Sequence, residues 1–294
     1  MIATVPFLIH RHEAMATTFE LRLATDDARY AAQAAADCFA RLDRLHALLN
    51  RHDEASEIAR LSRLPSGETL RLEADTFTCL RLALDLHDLS GGSFDPALAG
   101  PLDAQRGAPN ARTGPRGRLE LDSATFTVRV VDAPVGLDLG AIGKGYALDC
   151  LAEILLDWEL PRALLIAGEG SSLLALNGPA EGLAWTIGIG EGPAAREIPL
   201  VRHAVGASGF AVRGAHILDP LTSAPATGAR RAWAIAPTAA VADALSTAAM
   251  VLAPGEIAEL CALAPGLGII TESCDPDAAP RVYGSLPFLQ PTPP

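Results

Sequence analysis

The stretch "LDLGAIGKGYALD", residues 137–149, decides the first question about the fold. An apolar run reaches a carboxylate, Asp138. A glycine-rich turn with a lone lysine, Lys144, follows, and then a helical segment. Glycines and a lysine at a strand-to-helix junction suit phosphate, because unpaired helix N–H groups and a point charge converge there. A P-loop needs G-x-x-x-x-G-K and then Ser or Thr. Here Gly145 follows Lys144, and Asp138 stands where the first glycine belongs. The dinucleotide fingerprint G-x-G-x-x-G fails as well, since the spacing is G-x-x-G-x-G. The stretch is then either a different phosphate site or a tight strand-to-helix corner with an exposed lysine.

Working outward, "TTFELRLAT" (17–25) alternates and predicts a strand. Residues 26–50 predict a long amphipathic helix capped by Asp26 or Asp27. A short helix starts at Ser56, and another spans 73–92. "RLELD" and "FTVRVV" predict a hairpin, and a helix is expected at 143–157. Strands are expected at 162–168, 172–176, 184–190, 197–209, 231–237 and 266–271, with helices at 239–252 and 255–263. Helices cluster early and strands mix with helices later, without strict βαβ alternation. That favours α+β over a doubly wound parallel sheet. The Pro/Gly/Arg-rich segment 101–117 is the candidate loop or subdomain boundary, and the proline-rich tail 285–294 is expected to be loosely ordered.

Composition narrows the function classes. The 294 residues are 49% hydrophobic and 5% aromatic, so the core is built from small aliphatic side chains. A net charge of -12 with no basic patch argues against a general nucleic-acid binder. The cysteines, Cys38, Cys79, Cys150, Cys261 and Cys274, are odd in number and lack C-x-x-C spacing. They predict buried, reduced hydrophobes rather than disulfides or a zinc site. The N-terminus shows no signal peptide or lipobox, and no apolar run reaches the ~20 residues of a membrane span. A cytoplasmic protein is expected, or a periplasmic one if an export signal has been removed.

Three further segments carry candidate chemistry. In "VADALSTAAM" (241–250), Asp243 and Thr247 share one helix face and suit a hard cation such as Mg²⁺; a favourable charge at a helix start explains them equally. In "GGSFDPALAGPL" (91–102), Pro96 holds Asp95 extended beside Phe94, as a ligand acceptor or an Asx-type turn. In "GAHILDPLTSAPAT" (214–227), His216 beside an Asp-Pro turn is a proton-transfer candidate or a satisfied strand-end histidine.

Taken in order, the segments resemble the ApbE family, the FAD:protein FMN transferases. The resemblance rests on "MATTF" from Met15, "DEASEIARL" from Asp53, "GSFDP", "DLGAIGKGY", "HILDPLTS" and "ADALST". It implies one α+β domain over 1–294, with mixed sheets flanked by helices in two tightly associated subdomains. It implies Mg²⁺-dependent transfer of the FMN part of FAD to a Thr or Ser hydroxyl of an acceptor protein, releasing AMP. By the same resemblance, Asp243 and Thr247 hold the metal with backbone oxygen near Ala141 and with Ser246, and Asp138 and Lys144 contact FAD. Met15, His52, Ser93, Phe94 and Asp95 line the flavin and adenine sites, Ile217 packs on the ligand, and His216 assists proton removal. The chain departs from the pattern at Ala16 and Ser223, where the family carries glycine, and at His52, where it carries an aromatic. An FAD pyrophosphatase and a flavin-binding protein without turnover remain as alternatives.

Overall fold

A computed structural model of the chain describes residues 7–108, 117–190, 195–210, 217–275, 278–284 and 286. The alternating segment forms β2, Thr17–Leu23, whose Phe19, Leu21 and Leu23 are fully buried. Each such side chain contributes about 2 kcal/mol by leaving water. Its antiparallel partner is β1, Leu8–Ala14. This strand escapes the alternation signal because its inward positions carry His10 and His12 rather than aliphatic residues. Helix α1, Ala28–Leu49, starts where the Asp27 carboxylate accepts the Tyr30 N–H at 2.9 Å. It buries Ala31, Ala34, Ala35, Cys38, Leu42, Leu45 and Leu49 along one stripe.

The main sheet adds β6 (Ala163–Ala167), β7 (Ser172–Ala175), β10 (His203–Gly209), β11 (Arg231–Ala236), β12 (Gly268–Glu272) and β13 (Arg281–Gly284). Its order is β1-β2-β6-β7-β10-β11-β12-β13, and every pairing is antiparallel. A smaller sheet joins β3 (Thr69–Arg71), β5 (Thr127–Asp132) and β4 (Arg118–Asp122). The α+β class follows from this antiparallel pairing with interspersed helices. The 197–209 segment, expected as one strand, is two: β9 (Arg196–Leu200) leaves the main sheet to pair with β8 (Trp185–Ile189). The chain breaks at Val201–Arg202, where Arg202 has φ +51°. Trp185, Ile187, Ile198 and Leu200 of this hairpin cover Val205, Trp233 and Ile235 on one face of the main sheet.

The other face carries the larger core. There α1 packs with α5 (Gly143–Asp157) and α6 (Ala239–Ala248), with α2 (Glu57–Ser62), α3 (Ala74–Leu89) and α7 (Pro254–Leu263) around them. Small residues bring α6 close to its neighbours. A Cβ on Gly206 of β10 would fall 2.2 Å from the Ala242 carbonyl oxygen, and one on Gly145 of α5 would fall 2.2 Å from that of Ala239. The short helix α4, Ala99–Gln105, occupies the start of the predicted 101–117 loop; residues 109–116 and 287–294 lie outside the described residues. Cys38, Cys79, Cys150 and Cys261 are buried and free, and burial pushes the Cys38, Cys150 and Cys261 thiols up to about 12. Cys274 departs from the expectation and is exposed. Among the described residues no helix is long and apolar enough to cross a membrane.

Candidate functional site

The glycine turn at 140–145 and the Asp243–Thr247 face of α6 meet at one cleft of about 820 Å³. Asp138, Ala141 and Lys144 line it from the first segment, and Asp243 and Thr247 from the second. Ser93, Phe94 and Asp95 line it from the loop after α3, and Ile217 from the segment before β11. Ser246 lies just behind the wall, fully buried, its hydroxyl donating to the Asp243 carbonyl at 2.8 Å. Met15 and His52 are not among the lining residues. Met15 packs against the main core while its neighbour Ala16 lines the cleft. His52 is exposed on the turn after α1, its N–H donated to Asn50 Oδ1 at 3.0 Å. His216 lies outside the described residues.

Asp243 is the most heavily bonded member. It is 3% exposed. Lys144 Nζ donates to both its oxygens at 3.2 and 3.1 Å, the Gly145 N–H to Oδ2 at 3.1 Å, and Ser172 Oγ to Oδ1 at 3.0 Å. The Gly145 N–H is one of the first N–H groups of α5, which have no acceptor within the helix itself. Here it goes to Asp243, and no described backbone N–H donates to Ala141 O. Thr247 Oγ1 sits one turn along, 3.4 Å from the Asp243 carbonyl and 3.1 Å from Ser208 Oγ.

The remaining walls are also fixed. Asp138 accepts the Gly140 N–H at 2.8 Å and has Arg51 Nε at 2.8 Å, an ion pair without a well-directed N–H. Arg51 grips Asp103 of α4 with both terminal nitrogens, at 3.2 and 2.7 Å, which holds the Asp103 carboxyl below the usual carboxylate range. Asp95 accepts the Ala97 N–H at 2.6 Å, the Asx turn its proline imposes. His87 Nδ1 lies 2.9 Å from the Phe94 carbonyl and 3.9 Å from Asp95. The turn Gly168–Glu169–Gly170 has positive φ throughout and passes close to the Lys144 stem.

A hard cation fits these residues. A buried carboxylate, a hydroxyl one helical turn away and a carbonyl without a backbone donor are oxygen ligands of the kind Mg²⁺ takes alongside water and phosphate. No group of three or more His, Cys, Asp or Glu that could hold a metal occurs among the described residues, so the oxygens on offer come from one carboxylate with hydroxyl and carbonyl groups. The charge balance agrees. Glu13, Asp95, Asp138, Glu169 and Asp243 outnumber Arg106, Lys144 and Arg231 among the lining residues, so a phosphate-bearing ligand needs a further cation there. Sequence reasoning missed Ser172, Ser208, Arg51 and Asp149. Ser172 sits in "IAGEGSS", which matches the family turn only loosely; Asp149 closes the stretch "LDLGAIGKGYALD" but its partner Ala239 lies 90 positions away, and Ser208 and Arg51 carry no motif of their own.

Fold and cleft define a class: an antiparallel α+β protein whose cleft is framed by the start of α5 and the Asp243–Thr247 face of α6. The chain belongs to the ApbE family, whose model matches residues 15–271. It is 28% identical over 268 residues to the FAD:protein FMN transferase of Treponema pallidum, covering 76% of this chain and 74% of that protein. It is 30% identical over 176 residues to the FAD:protein FMN transferase of Escherichia coli K12, covering 54% of this chain and 49% of that protein. The structure resembles the flavin transferase ApbE from Vibrio cholerae with a TM-score of 0.81 at 20% identity, over 97% of this chain and 99% of that one. It resembles the ApbE protein from Thermotoga maritima with a TM-score of 0.76 at 25% identity, over 90% and 94%.

Proposed function

We propose that the chain transfers the FMN moiety of FAD to a Thr or Ser hydroxyl of an acceptor protein, with Mg²⁺, and releases AMP. The observation that carries this is the meeting of Asp243, Thr247, Lys144 and the Ala141 carbonyl at one cleft. It supplies oxygen ligands for a cation and a lysine for a pyrophosphate in the same place. The Treponema and Escherichia relatives, named FAD:protein FMN transferases, support the choice of FAD and FMN.

Asp243 and Thr247, with Ala141 O and Ser246, would hold the metal. When bound, Mg²⁺ supplies charge neutralisation on the attacked pyrophosphate and the departing AMP. Lys144 reaches the phosphate oxygens from the α5 start. Asp138, fixed by Arg51, and the Ser93–Asp95 turn position the FAD, with Ile217 against it. The assignments of Met15 and His52 rest on the resemblance alone. His216 accepts the proton of the acceptor hydroxyl as that oxygen bonds the FMN phosphorus and the P–O bond to AMP breaks.

Incubation with FAD, Mg²⁺ and a Ser/Thr-bearing candidate acceptor is expected to add one FMN to the acceptor by intact mass, with AMP released. Asp243→Ala is expected to lower the rate about 100-fold or more. FMN and AMP formed with no labelled acceptor would instead make the chain a pyrophosphatase. Tight FAD binding with no turnover would make it a flavin-binding protein.

A further inference from the structure

Helix α5 starts at the cleft and α6 passes it with Asp243 and Thr247, and neither is capped by its own N-cap side chain. Ile142 has no acceptor to offer α5, and Thr238 makes no side-chain cap bond to α6. Each is capped from inside the other helix. Asp149 of α5 accepts the Ala239 and Ala240 N–H groups at 2.7 and 2.9 Å. Asp243 of α6 accepts the Gly145 N–H at 3.1 Å. We infer that Asp149 is a positioning residue: through this reciprocal cap it sets where α6 begins on α5, and so the placement of Asp243 and Thr247 against Ala141 O and Lys144. The inference rests on the proposal that those groups hold the cation and the pyrophosphate.

The choice of residue argues for the role. The first N–H groups of a helix need acceptors, and a local Ser or Thr would satisfy them cheaply. Asp149 is a costlier answer. Burial pushes its carboxyl up to about 6 despite the Ala240 and Ala239 N–H bonds, with Glu153 and Asp243 adding to the rise. A local cap would satisfy α6 yet leave it free to slide along α5. At the contact itself Gly145 has no side chain to lock the register, because a Cβ would strike the Ala239 carbonyl. The two cross-bonded carboxylates supply the lock that packing does not. Asp149 is not among the cleft-lining residues, so it acts through α6 and not on the ligand.

The test is Mn²⁺ titration of the full chain followed by electron paramagnetic resonance, with no FAD present, alongside thermal melts. Asp149→Ala is expected to bind Mn²⁺ about tenfold more weakly than the unaltered chain, the scale of one lost cap carried into the site. Asp149→Asn keeps one acceptor oxygen and is expected to recover part of that loss. Asp27→Ala removes the α1 cap far from the cleft. It is expected to lower the melting temperature while leaving Mn²⁺ affinity unchanged. Unaltered affinity in Asp149→Ala, or an equal loss in Asp27→Ala, overturns the inference. If Asp149→Ala does not fold, Asp149→Asn decides, and unaltered affinity there overturns it. Absence of Mn²⁺ binding by the unaltered chain removes the metal assignment itself, a different result from any variant effect.

Discussion

Ala16 and Ser223, where the resemblance leads one to expect glycine, both hold the left-handed backbone that glycine serves, at φ +58° and +57°. Ser223 is held by its N–H to the Asp219 carbonyl at 2.8 Å. Ala16 shares a two-residue hairpin turn with Met15, at φ +50°, the positive-φ geometry that matches strand twist. A left-handed L-residue costs about 1–2 kcal/mol, and part of that returns as unfolded-chain entropy when glycine is introduced. Ala16→Gly is therefore expected to raise the unfolding free energy by about 0.5–1 kcal/mol in urea denaturation. A loss of stability would mean that the methyl group packs favourably enough to outweigh its backbone strain. The substitution also widens the cleft wall at that point, so FAD affinity should not fall.

At the scale of elements, helices were the legible part of the sequence. Helix α1 announces itself by an Asp cap and a buried stripe at helical spacing, and α5 and α6 begin where the motifs place them. β1 and β13 were not legible, because an edge strand with histidines inward and a four-residue strand lack a periodic apolar signal. The α5–α6 lock was not legible either, since Asp149 and Ala239 lie 90 positions apart. That lock carries a pH signature. Burial pushes the folded Asp149 carboxyl from the ordinary 3.8 up to about 6, so the folded state holds its proton more tightly. Its contribution to stability therefore falls as pH rises between those values, by roughly 3 kcal/mol in all. Glu20 and Asp103 are held below the carboxylate range and act in the opposite sense, losing stability as pH falls. In paired urea melts, the stability of the unaltered chain relative to Asp149→Asn is expected to drop by about that amount from roughly pH 4 to pH 7. A constant difference would mean that Asp149 titrates like an exposed carboxyl.

At the scale of the molecule, the cleft was legible as separate motifs but not as a pairing of charges between them. "DLGAIGKGY" and "ADALST" each suggest a ligand site; only the fold shows that Lys144 and Asp243 neutralise one another across it. Lys144 is 20% and Asp243 5% exposed at the side chain, so this is a largely buried pair. Removing one partner leaves the other as an uncompensated buried charge, which costs about 3–5 kcal/mol in such settings. In the proposed function a divalent cation takes over the neutralisation of Asp243 and frees Lys144 for phosphate. The ammonium group and the metal then compete for one carboxylate, and the stability of the whole chain registers the competition. Lys144→Met is expected to lower the unfolding free energy by about 2–4 kcal/mol without Mg²⁺, discounted for its partial exposure. A cation that binds the folded state only would stabilise it in proportion to the logarithm of its saturation ratio. With no ammonium to displace, the variant should gain more from the same Mg²⁺ concentration than the unaltered chain, by about 1 kcal/mol or more for a tenfold tighter site. FAD binding should weaken in the same variant, because the phosphate-facing charge is gone. Urea melts with and without Mg²⁺ measure the first effect and FAD fluorescence titration the second. Equal Mg²⁺ stabilisation in both chains would mean that Lys144 and the cation do not share Asp243, and that the metal binds elsewhere in the molecule.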